Sequence, residues 1–214
     1  MTATIAFFNA LERLPKYLEI EALNGIDSGI EKLNQHIPVT DVGIAVHICD
    51  HVDIDEGVSG IAYCADSLNL RIHPDSPAIH TDLADRVSRL TIHEIHHVLR
   101  IRSCGVRDWT AGEVLALEGL ALACEEFLGF EASPVSGGIS DARLEVLFDR
   151  IAPNLHTPKS DWQWIYENDQ ESNAKFAVLY RMGYRLVQQW LSQTGNNPIS
   201  AISTPYREIL SARF

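Results

Sequence analysis

The run VLALEGLALAC, residues 114–124, constrains this chain more than any other stretch. It is apolar all round when wound as a helix, so other elements must cover most of its surface. It is too short to cross a bilayer, and no other apolar run reaches spanning length, so no membrane partner is expected. One polar side chain, Glu118, lies inside it. A carboxylate in such surroundings needs a counter-charge, which a divalent cation or a buried arginine such as Arg100 or Arg102 would supply. Gly119 beside it lowers helix propensity by up to about 1 kcal/mol against alanine. A glycine there makes sense where a second helix packs close.

With 214 residues the chain can build that cover as a single domain, with an α/β lobe over 1–104 and a helical lobe over 105–214. TATIAFFNALERLPKYLEIEALNGIDSGIEKLNQHI has helical spacing, broken near Asn24 and Gly25. VTDVGIAVHICD reads as a buried strand, and GVSGIAYCADSLNLRIHPDSP as two strands around a turn. In the second of these Leu68, Leu70 and Ile72 alternate with polar residues, the pattern of a half-buried strand at a sheet edge. From there on the periodicity is helical. Helices are expected over 81–101 with Thr81 as N-cap, over 110–128 with Thr110 as N-cap and a stop at Gly129, over 141–151, and over 173–193. Pro153 and Pro158 bracket a turn before the aromatic connection SDWQWIYENDQES, where Trp162 and Trp164 read as anchors to the core. The fold class is therefore α+β: a small sheet first, a mainly helical half after it.

The formal charge of −12 repels a phosphate backbone, and no basic run offsets it, so nucleic acid is not expected as a partner. The four cysteines are scattered without a CxxC, and the first residues lack the basic start of a signal peptide. Reduced thiols and a cytoplasmic location are expected.

The chemistry concentrates in TIHEIHHVLR, residues 91–100. His93 and His97 are four apart, one helical turn above each other, so both imidazoles can reach one metal ion. Glu94 projects beside them, placed to take a proton from a water rather than to ligate. This is the content of H-E-x-x-H: two ligands and a general base on one rigid turn. His96 falls outside that spacing and reads as a flank residue, facing solvent or supporting a ligand. Leu83, Val87, Leu90, Glu94, His97 and Ile101 form one stripe, so Glu94 and His97 continue an apolar face inward. Two histidines leave a catalytic zinc site one protein ligand short. Glu118, 21 residues after His97, can supply it from the next helix; Glu113, Glu125 and Glu126 are weaker candidates because that helix turns polar around them. Elsewhere, His47, Cys49 and His51 share a side of their strand but have no partner cluster, and His73, His80 and His156 read as solvated.

HEIHHVLR followed by EGLALA resembles the gluzincin metallopeptidases, in which HExxH is completed by a glutamate on the next helix. More narrowly the chain is similar to a bacterial family of predicted zinc-dependent proteases (YjaZ-like), with its HExHHxxR, its EGLA and its late Y-x-x-G-Y pattern. Here that last pattern is YRMGY from Tyr180, preceded by Leu179 where glycine is usual, and GVSGIAYCADSLNLRIHPD resembles the family's glycine turn and strand. The resemblance covers about residues 55–195. It implies a zincin-like fold and one Zn2+ per chain held by His93, His97 and Glu118, with Glu94 as general base. It also implies a tyrosine that stabilises the oxyanion, Tyr180 ahead of Tyr184, and gives SLNLRI the role of a sheet edge that pairs with an extended peptide. The expected activity is zinc-dependent hydrolysis of a peptide or protein substrate. The alternatives are a zinc-binding regulatory or interaction module with little turnover, and an enzyme acting on a non-peptide amide.

Overall fold

The computed structural model describes residues 3–105, 109–132, 140–158 and 175–211. SDWQWIYENDQES, with Trp162 and Trp164, lies outside the described residues. The chain is mixed α and β, with one small sheet and a mostly helical remainder, and it divides into two compact units, Met1–Arg102 and Ser103–Phe214.

The first unit is built on a four-stranded sheet of order β1-β2-β4-β3: β1 (Thr4–Phe8), β2 (Gly43–Ile48), β3 (Val58–Ala62) and β4 (Ser67–Ile72). β1, β2 and β4 run parallel, and β3 returns antiparallel to β4. The two-strand reading of 57–72 holds, but β4 is not an edge. It lies between β2 and β3, so its alternation comes from one face packing inward, with Leu68, Leu70 and Ile72 buried. Among the described residues the strand at the edge beside it, with no further strand paired to it, is β3. Strand order is a long-range property, and alternation within one strand carries no information about its neighbours.

The start of the chain corrects the helical reading twice. Thr4–Phe8 is a strand, because its short apolar run fits either period and pairing with β2 decides. Asn9 then closes a turn by bonding both the N–H and the C=O of Leu14, with Leu11 and Glu12 at positive φ. α1 (Lys16–Asn34) follows Pro15 and runs unbroken through Asn24 and Gly25. Gly25 is no stop signal. A Cβ there would lie 2.5 Å from the carbonyl oxygen of Ala84, and one at Gly29 would lie 2.7 Å from that of Ser88. Both glycines let α1 press against α2 (Ile79–Cys104). α2 itself begins with a kinked turn, Asp82 having φ −149° and ψ 33°. Thr81 does not cap it: its hydroxyl bonds the carbonyl of Ala78 and the carboxylate of Asp82. At the far end Arg102 donates to the carbonyls of Thr40, Asp41 and Ala65, fastening the last turn of α2 to two loops. His73, expected in solvent, is buried at 9% exposure after β4.

Among its described residues the second unit carries the α-helices α3 (Ala111–Phe127), α4 (Asp141–Ile151), α5 (Lys175–Thr194) and the short α6 (Tyr206–Ile209), with 3-10 turns at Ala152–Asn154 and Ser200–Ser203. Thr110 caps α3 by accepting from the amide of Glu113, and Ser140 caps α4 by accepting from that of Arg143. α3 crosses α5 where Gly119 meets Gly183, and a Cβ on either would run into the other helix's backbone. The close-packing reason expected for Gly119 is therefore present. Around the crossing Leu115, Leu120, Leu144, Phe148, Met182 and Trp190 make the core.

Candidate metal centre

From Thr91 to Ile101 every residue of α2 is buried. That stretch includes His93, Glu94, His96, His97 and Arg100, with Arg100 and His96 fully enclosed at 0% exposure. Burial of so many ionisable groups in a row is costly unless each is paired or holds an ion. His93 and His97 face each other one turn apart, their ring centroids separated by 4.5 Å and their planes crossed at 77°. Their candidate ligand atoms lie within 4.8 Å of each other, a spacing one divalent ion can bridge. The reading of His96 as solvent-facing is corrected. The helix is covered on that side as well, because its whole circumference from Thr91 to Ile101 is interior.

Glu94 is 4% exposed and lies against β3. Gly60, the central residue of that strand, is the point of contact: a Cβ built on it would fall 2.6 Å from Cγ and 2.7 Å from Oε1 of Glu94. Sequence reasoning missed this contact. The available signal was a glycine in the middle of a strand, which marks a bulge or a close approach.

In the second unit Glu118 is half-buried on α3, amid residues that are otherwise nearly all interior. Of the two arginines considered as its counter-charge, Arg102 has its guanidinium committed to three backbone carbonyls. The neighbouring glutamates differ from expectation. Glu125 is buried at 4% exposure although the helix was expected to turn polar there. Glu126 accepts from the Tyr184 hydroxyl at 2.5 Å and from the Gln188 amide at 2.8 Å. Burial and the Glu126 carboxylate together push the Tyr184 phenol up to about 12. Tyr180, one turn earlier on α5, is half-buried against the core of this unit. Among the described residues no group of three donors forms around His47, Cys49 and His51, and His47 instead stacks on Phe8 at 5.0 Å.

Residues 23–211 match the family described as Predicted Zn-dependent protease (DUF2268), and the chain belongs to that family. No curated protein and no solved structure matches it. The family description agrees with the resemblance seen in HEIHHVLR, EGLALA and YRMGY. Among the described residues no helix is long and apolar enough to cross a membrane.

Proposed function

We propose that this protein is a zincin-like, gluzincin-type metallopeptidase acting on peptide or protein substrates, with one Zn2+ held by His93, His97 and Glu118. The observation that carries the reading is the buried turn of α2, where two imidazoles with ligand atoms within 4.8 Å flank a buried carboxylate. The residues fit the metal. Two imidazoles and one carboxylate are the donor set of a catalytic zinc site, which leaves a position open. Zinc, when bound, lowers the pKa of a water and polarises a carbonyl.

The chain's own groups do the rest. Glu94 accepts the proton of the attacking water and returns it to the departing amine, so one carboxylate serves as base and then as acid. Its burial excludes bulk water from that transfer. Tyr180 is the favoured donor to the developing oxyanion, on the family pattern, with Tyr184, whose hydroxyl donates to Glu126, second. The peptide-pairing edge belongs to β3 rather than to SLNLRI. The amide of His73 donates to Gly57, and antiparallel bonding alternates along the ladder. Ser59 and Ile61 therefore bond towards β4, and the N–H and C=O of Val58, Gly60 and Ala62 point to the open side. An extended substrate could add there as a further strand. None of the four cysteines is in a disulfide, which suits a reducing cytoplasm.

Metal analysis by mass spectrometry tests the reading directly. We expect near-stoichiometric zinc in the wild type and loss of it in His97→Ala and Glu118→Ala. Glu94→Gln should keep its zinc and lose about 10²–10⁴ in rate on an internally quenched peptide library. A Glu94→Gln protein that cleaves as fast as wild type would rule out the base, whereas a wild type that binds zinc and cleaves nothing would favour a regulatory zinc module.

A further inference from the structure

Gly60 stands in the middle of β3, where glycine weakens a strand and offers no side chain to pack. Its backbone does not require glycine, since it is absent from the positive-φ positions, which are Gly57, Gly105, Gly129 and Gly195 among the described glycines. What it does require is space. A Cβ would come within 3 Å of three atoms of one side chain: Cγ, Cδ and Oε1 of Glu94. The three nearest atoms all belong to that one side chain, so the missing methyl group is matched first to the Glu94 carboxylate arm. The same residue turns its N–H and C=O to the open edge of the sheet.

We propose that Gly60 is a positioning residue for Glu94: its bare Cα is the seat of the glutamate side chain, so the strand bordering the open edge fixes where the base sits. The inference rests on the peptidase reading above and deepens it. A methyl group at position 60 must either turn the Glu94 carboxylate or push β3 outward. Each displaces the base relative to a substrate laid along the strand. Displacement by about 1 Å at a reacting group is enough to lose on the order of 10² in rate.

The test combines a stability cycle with kinetics. Chemical denaturation of the metal-free protein is measured for wild type, Gly60→Ala, Glu94→Ala and the double variant. In an unobstructed strand, alanine in place of glycine raises stability. We expect Gly60→Ala to lower the midpoint in the wild-type background and to raise it or leave it unchanged when Glu94 is already alanine. On the internally quenched peptide library, Gly60→Ala should lose about 10² in kcat with KM little changed, and mass spectrometry should find its zinc content unaltered. The same midpoint shift in both backgrounds, or full kcat in Gly60→Ala, overturns the inference while leaving the peptidase reading intact. A wild type that binds zinc and cleaves nothing, even with the stability coupling present, ends the peptidase reading and the catalytic role of Gly60 with it.

Discussion

α2 and α3 are both buried helices, and they hide opposite chemistry. Half of the ten residues from Ile92 to Ile101 on α2 are histidine, glutamate or arginine, and all ten are interior. On α3 the interior from Leu115 to Cys124 is leucine, alanine, glycine and cysteine, with Glu118 half-buried among them. Apolar burial stabilises by roughly 25 cal/mol per Å² and needs no particular partner. Buried ionisable groups must each be satisfied, and the row on α2 is retained at a cost that apolar residues would not carry. The contrast separates a helix that buries a row of ionisable side chains from one that buries mainly apolar ones.

The sharpest way to break this comparison is Arg100→Ala. Arg100 is the largest fully buried side chain among the described residues, and removing a buried charge of this kind is expected to cost about 3–5 kcal/mol. Denaturant titration reads this, and a loss below that of an ordinary core truncation would mean the polar row is cheaply held. Leu120→Ala is the matching cut on α3, a fully buried leucine for which we expect about 3 kcal/mol. Unlike His97→Ala, it should leave zinc content unchanged, and zinc loss on truncating Leu120 would erase the division of labour.

Smaller effects sharpen the picture. Thr110→Ala removes the cap of α3 and should cost about 1 kcal/mol, seen as a modest fall in the melting midpoint. A shift as large as that of Leu120→Ala would show that α3 depends on its start as much as on its core. The smallest effect concerns pH. Burial and the Glu126 carboxylate push the Tyr184 phenol from its ordinary 10.0 up to about 12. Its contribution is therefore fully present below pH 10 and fades as pH rises towards 12. Tyr184→Phe should flatten that alkaline part of the stability profile, and an unchanged profile would remove Tyr184 as its source.

The sequence made local features legible. Periodicity located α3 and α4, and Thr110 was readable as a cap because its hydroxyl acts within one turn. The single turn that sets His93 opposite His97 was readable for the same reason, since helix geometry alone fixes an i, i+4 pair. Long-range features were not. β1 needed β2 to choose between two periods, and β4 needed both neighbours to be known as interior. Gly25 looked like a break because a sequence does not display the carbonyl of Ala84, some sixty residues away, that fills the space a side chain would take. The burial of His96 was hidden in the same way, because an amphipathic stripe has a back, and α2 around His96 has none.

The glycine hollows on α1 have a mechanical consequence. Packed helices with smooth surfaces can slip along their axes by a fraction of a turn. Here the carbonyls of Ala84 and Ser88, four residues apart on α2, each drop into a notch left by Gly25 or Gly29, four residues apart on α1. Two matched notches act as a detent. Any axial slip would drive a carbonyl against a residue that has a side chain. The height at which α2 carries His93 and His97 is thus indexed by two absent methyl groups, more than a full helical turn away from the imidazoles they hold in register.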